Sequence, residues 1–228
     1  MLELHYLKQH AEPKKKVVIK EKTSLFGIAV FKNKPFLYFI ISALFFNFAW
    51  QMCWILFSIY QIKFAGATGL WISLFAVANS IGQIVSFKWW ARMADKHSNA
   101  KMLILVSIGM AVAPWMTLVS TNLVFLVITN IFAGLFVSGT VLLLFNQLLD
   151  VTTEDNRSIC ISNYNILLAF IAFIAPQFGV YLLETTNIYT AMNISGFLRA
   201  FSGVFFFFLY LYLKRREGVT FKRKMAKI

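Results

Sequence analysis

Asn47, Trp50, Gln51 and Trp54 recur at i, i+3, i+4 and i+7 inside a stretch, Phe36–Ile62, that is otherwise almost wholly apolar. On a helix this spacing gathers two amides and two indoles on one face. Amides offer donors and acceptors together, and indoles add flat apolar area with one N–H. Such a face suits an uncharged or amphipathic solute, and the same amides would equally serve to tie helices to one another. Asn79 and Gln83, again one turn apart, repeat the pattern in the next apolar stretch. Asn47, Gln51 and Asn79 share the middle depth, whereas Asn146, Gln147, Asn163 and Asn165 are expected to be shallow, where the first two meet water.

Arg199 is the one charge well inside a long apolar run. At a rise of about 1.5 Å per residue it lies about 16 Å from Ile188. An unpaired Arg at that depth costs about 2.5–3.5 kcal/mol on insertion scales. It shares a face with Ser195 and Ser202 and is expected to point inward, either as an anion or gating contact or as a tie to backbone carbonyls of a neighbouring helix. No Asp or Glu lies within the apolar runs, so this chain offers no intramembrane carboxylate for proton coupling. His5, His10 and His97 lie outside those runs, and Cys53 and Cys160 have no Cys or His at metal-ligand spacing. Neither a metal nor a cofactor is expected. With no His, Asp or Glu in a span and no Gly-x-Ser-x-Gly, an enzyme is disfavoured. Nothing resembles a channel filter.

The elements that position these residues follow from composition. The chain has 228 residues, is 59% hydrophobic and has a mean hydropathy of +0.70 with 25 Phe. A soluble domain sits nearer 45–50% apolar. Six runs are long enough to cross a bilayer, which takes about 20 apolar residues. They are Phe36–Ile62, Thr68–Phe87, Met102–Ser120, Asn122–Leu149, Ile159–Leu183 and Ile188–Leu213. Backbone in lipid must satisfy its own hydrogen bonds, so each is read as a helix. The chain is therefore expected to be an all-α membrane protein. It divides into a basic segment over 1–35, a six-helix bundle over 36–213 and a basic tail over 214–228. The opening segment does not have the form of a signal peptide.

The net charge of +13 would suit nucleic acid, but its distribution argues otherwise. Of the 22 Lys and Arg, all but Lys63 and Arg199 fall in the opening segment, the second and fourth connectors and the tail. Basic residues collect on the cytoplasmic side, which places both termini there, as an even number of helices requires. The charge is a topology signal, and no nucleic-acid partner is expected. Connectors as short as Ser120-Thr121-Asn122 predict antiparallel neighbours in a compact bundle.

The second connector, Trp89-Trp90-Ala91-Arg92-Met93-Ala94-Asp95-Lys96-His97-Ser98-Asn99-Ala100-Lys101, is a charged knot between greasy runs. Ala91, Asp95, Lys96, Ser98 and Lys101 resemble the loop joining the second and third helices of each half in the major facilitator superfamily. Ala91 and Ser98 stand where the family has glycines, and Asn99 and Ala100 where it has basic residues. Ala175-Pro176-Gln177-Phe178-Gly179 resembles the late part of an eleventh helix in these transporters. Ile194-Ser195-Gly196-Phe197-Leu198-Arg199 resembles the start of a twelfth. The likeness covers essentially the whole chain and is to the C-terminal half.

The resemblance implies one six-helix half of a twelve-helix transporter fold. It would move a small solute across the cell membrane, most simply a bacterial plasma membrane, by alternating access. The partner would be an N-terminal six-helix half or a second copy. Asp95, with Arg92 and Lys96, would latch one half to the other, or Asp95 would simply offset its two basic neighbours in a solvated loop. The first helix of the half would line the cavity. The alternative is a truncated, non-transporting fragment or a regulatory half.

Overall fold

The computed structural model describes residues 27–225, with side chains through Arg216. The opening segment before Gly27 and the last residues of the tail, both assigned above to a basic cytoplasmic surface, lie outside the described residues. Every regular element among the described residues is helical. A short 3₁₀ turn, Ile28–Lys32, leads into α1, Lys34–Ile59, which continues as a π turn over Tyr60–Phe64. Then follow α2 (Gly69–His97), α3 (Asn99–Val119), α4 (Leu123–Asp150), α5 (Arg157–Thr185) and α6 (Ile188–Met225). All six are long and apolar enough to cross a membrane.

The helices run past the apolar stretches that announce them. α6 continues through the basic residues after Leu213, and Glu184 sits inside the last turn of α5. The charged knot is the largest correction. It is helix from Trp89 to His97 and again from Asn99, and Ser98 alone turns the chain. The reason is tertiary. Trp90 is 2% exposed, and its Nε1–H donates to the Leu135 carbonyl at 2.6 Å, so α2 still has a partner to pack on beyond the apolar run. Trp90 and Ala94 face inward at i and i+4, while Arg92, Asp95 and Lys96 are exposed.

Ser98 takes φ 82°, ψ 145°, a region that essentially only glycine occupies without cost. A glycine there, the residue the family loop usually carries, removes that strain. Ser98→Gly is expected to raise the thermal midpoint of the detergent-solubilised protein, and Ser98→Val to lower it. A lower midpoint for the glycine variant would show that the turn is not strained.

Helices pack in an order unlike their order in the chain. α2 lies on α4, α4 on α3, α3 on α6, α6 on α1, and α1 on α5. Short connectors therefore make full neighbours only of α3 and α4. α2 with α3, and α5 with α6, meet over few residues, because a tight turn fixes adjacency at one end only and packing decides the rest. The row begins with α2 and ends with α5, whose spanning windows are the least covered of the six.

The α2–α4 contact shows how the pairing is specified. A Cβ on Gly82 would stand 2.2 Å from the Ile131 carbonyl oxygen, and one on Gly134 would stand 2.1 Å from that of Asn79. The two backbones approach because neither residue has a side chain, the usual device where lipid supplies no hydrophobic drive between helices. Polar ties flank the contact. Asn79 Nδ2 donates to the Asn130 carbonyl at 3.3 Å, and the Ser86 and Ser138 hydroxyls lie 2.7 Å apart. At the other end of the row Gly179 plays the same part, since a Cβ there would meet the Met52 carbonyl of α1 at 2.3 Å.

Asn163, expected to be shallow, is fully buried. Its Oδ1 accepts from the Gly27 amide at 3.2 Å and its Nδ2 donates to the Gly27 carbonyl at 2.9 Å. Gln147, expected to meet water, is 1% exposed. Distance from the bilayer centre does not imply exposure when a terminal segment folds back over the helix ends.

Candidate functional site

The row of helices curls, so that α1, α2, α3, α4 and α6 border an open cavity of ≈ 290 Å³. From α1 come Trp50, Trp54, Phe57 and Ser58, on successive turns of one face, with Gln61 a heptad beyond Trp54. α2 adds Asn79, α3 adds Met110, Ala113 and Thr117, α4 adds Thr129 and Asn130, and α6 adds Arg199. Most of these residues lie in the part of each helix nearest the connectors 65–68, 120–122 and 186–187. The cavity therefore sits toward the end of the bundle opposite the basic residues.

Of the residues singled out in the sequence, Trp50, Trp54, Asn79 and Arg199 line this cavity. Asn47 is on the same face of α1 but one turn nearer the basic end. It is 3% exposed, lies against Tyr164, and donates to its own helix at the Ala43 carbonyl, 2.8 Å away. Gln51 is half-buried outside the lining. Gln83 Nε2 donates to Asn79 Oδ1 at 2.7 Å, holding the amide of Asn79 from the next turn. Arg92, Asp95 and Lys96 lie far from the cavity on the exposed end of α2, and Asp95 has no hydrogen bond or ion pair among the described residues. Asn99, where the family loop has a basic residue, donates to Asp150 Oδ2 at 2.7 Å, joining the start of α3 to the end of α4.

Arg199 is 1% exposed and tied entirely to backbone. Nη1 donates to the Met110 carbonyl at 2.9 Å, Nη2 to Trp50 at 3.1 Å and Nε to Ala49 at 3.4 Å. Ser195, one turn earlier on α6, donates to the same Ala49 carbonyl at 2.8 Å. The guanidinium also lies over the Phe57 ring, 5.7 Å from its centroid, a cation–π distance. One side chain thus links α6, α1 and α3 at the wall of the cavity.

Gln61 escaped the sequence reading. It lies at the end of the first apolar run, where an amide ordinarily meets water. The chain instead closes a π turn, with the Ala65 N–H on the Tyr60 carbonyl at 3.0 Å, and Gln61 is only 8% exposed. Single π turns cluster at functional sites but carry no sequence signature. Asn130 stands out in the sequence as an amide in the fourth apolar run, whereas Thr117 and Thr129 gave no signal, since a threonine is ordinary in a spanning helix.

Six helices long and apolar enough to cross a membrane, five of them bordering one cavity of mixed polarity, define a multi-pass membrane protein. The family model for the Major Facilitator Superfamily matches residues 39–227, and the chain belongs to that family, whose members are transporters. Six helices are the complement of one half of the family's twelve-helix fold. Comparison with curated proteins and with solved structures returns no match.

Proposed function

We propose that this chain moves a small amphipathic solute across a cell membrane by alternating access, as one six-helix half of a larger transporter. The observation that carries the reading is the cavity itself. Five helices of a bundle with the family's composition converge amides, hydroxyls and indoles on ≈ 290 Å³ of space. Polar groups inside a membrane are costly unless they are paired or face such a space. Trp50, Trp54 and Asn79 are the substrate contacts carried over from the sequence; Asn47, Gln51 and Gln83 shape and support the helices that present them. The sparsely covered faces of α2 and α5, at the two ends of the row, are where an N-terminal half or a second copy would dock. Arg92, Asp95 and Lys96, exposed at the end of α2, would serve as its latch.

Alternating access makes one residue reachable from each side in turn. Ser58→Cys, in a chain whose Cys53 and Cys160 are replaced by alanine, is expected to react with a membrane-impermeant maleimide in both right-side-out and inside-out vesicles. Labelling from one side only, under every condition, would overturn the rocking mechanism. Transport by a strict monomer reconstituted in liposomes would overturn the need for a partner.

A further inference from the structure

We propose that the cavity against Arg199 is a binding site for a small organic carboxylate, built wholly within this six-helix chain. The inference deepens the transport reading and rests on it for its biological sense.

Arg199 supplies the charge. A guanidinium has five N–H donors, and three are spent on backbone carbonyls, which leaves two. Its neighbours cancel none of its charge. The carboxylates whose side chains the structure describes, Asp95, Asp150, Glu154, Asp155 and Glu184, all sit at helix ends or in connectors. A buried cation without a counter-ion is the arrangement that an entering anion relieves. The planar fork of Arg matches a carboxylate better than a spherical ion.

Gln61 supplies the second observation. It is 8% exposed, it lines the cavity, and its side-chain amide has no hydrogen-bond partner among the described residues. The amide is not sealed in protein but reachable from the cavity, so a ligand group can pair with it. Its N–H₂ can donate to the same anion. Asn130 spends its Nδ2 on the Leu126 carbonyl at 2.8 Å, which leaves its Oδ1 free to accept.

The remaining walls select the body of the ligand. Trp50, Trp54, Phe57, Met110 and Ala113 are apolar surface, and Trp50 and Trp54 meet edge to face at 5.8 Å. A volume of ≈ 290 Å³ takes a single ring or short chain and is too small for a lipid tail. One positive charge, one free amide and an aromatic wall describe a monocarboxylate with a compact apolar body.

Benzoate is the probe and benzamide, its uncharged counterpart, the control. Purified chain in nanodiscs is titrated with each, followed by tryptophan fluorescence, which Trp50 and Trp54 report locally, and by calorimetry. Benzoate is expected to bind at least tenfold more tightly than benzamide, and equimolar chloride is expected not to displace it. Gln61→Ala should weaken benzoate several-fold, and Arg199→Gln should abolish it. Gln61→Ala keeps the test decisive should Arg199→Gln not fold, because Gln61 makes no side-chain hydrogen bond to another helix among the described residues. No benzoate binding at tens of millimolar, equal binding of benzamide, displacement by chloride, or undiminished binding in Gln61→Ala would each overturn the site. Binding is read on the chain alone, so failed transport leaves the site standing, and failed binding leaves the transport reading standing.

Discussion

Replacing Gly82 by leucine is expected to part α2 from α4 and to leave little folded protein. The Cβ alone would enter to 2.2 Å from the Ile131 carbonyl oxygen, and that oxygen belongs to a helix backbone that cannot step aside. α2 packs chiefly on α4, so displacing one displaces the whole first element of the row. The ties from Asn79 to Asn130 and from Ser86 to Ser138 would open with it. Overpacking of a well-filled contact typically costs about 1–3 kcal/mol, and Gly82→Ala should fall in that range with leucine beyond it. Gly69, in the same helix, provides the comparison: a Cβ there meets nothing within 4 Å. Gly69→Ala should leave the thermal midpoint unchanged or slightly raised, since alanine is the better helix former by about 1 kcal/mol. Size-exclusion profiles and melting curves on the three variants settle the matter. A Gly82→Leu protein that melts with the parent would mean that α2 and α4 do not touch there.

Arg199→Met is expected to insert as well as the parent or better, and to melt well below it. The two effects have opposite signs because they report different steps. Placing an isolated Arg at mid-depth costs about 2.5–3.5 kcal/mol, a cost methionine does not carry. Once the helices have assembled, the side chain joins α6 to Ala49 and Trp50 of α1 and to Met110 of α3. A hydrogen bond to a charged group contributes about 1.5–3 kcal/mol in water-soluble proteins, and interhelical bonds in membranes average about 0.6. Three of them therefore hold between about 2 kcal/mol, on the membrane average, and about 9, on the water-soluble figure. Arg199→Lys keeps the charge but loses the fork, so it should fall between the two. Insertion efficiency and thermal unfolding must be measured on the same variants. A methionine variant that melts with the parent would reduce the three contacts to bystanders.

The spans, and with them the helical class, were legible because hydropathy reports directly on lipid. Legibility stopped where lipid stopped. The knot from Trp89 to His97 looks like a loop in the sequence because its charges are dense, yet Trp90 finds a partner on α4, Ala94 is buried one turn on, and the helix continues. Asn163 looked peripheral because only its depth could be read, and its partner, Gly27, is 136 residues away in the chain. Part of the cavity was legible for a similar reason. Trp50 and Trp54 announce themselves by spacing, and Arg199 by being a charge out of place. Asn47 and Gln51 share that spacing but lie at other positions around and along α1, and a helical wheel carries no information about which turn a cavity occupies. Gln61 had no local signal at all, since it lies in a π turn that no sequence pattern announces.

The order of the row also bears on how the protein comes into being. Each of its principal pairings, α2–α4, α4–α3, α3–α6, α6–α1 and α1–α5, includes a helix from the second half of the chain. As synthesis proceeds, the first three of these helices leave the ribosome before their main partners within this chain are made, and each must be stable in the membrane without them. That demands what the sequence supplies, spans apolar enough to be stable singly. It also makes the last helix the closing piece. Without α6 the groups α2–α4–α3 and α1–α5 keep only sparse contacts with one another, and a chain stopped before Ile188 would reach the membrane without its principal seam.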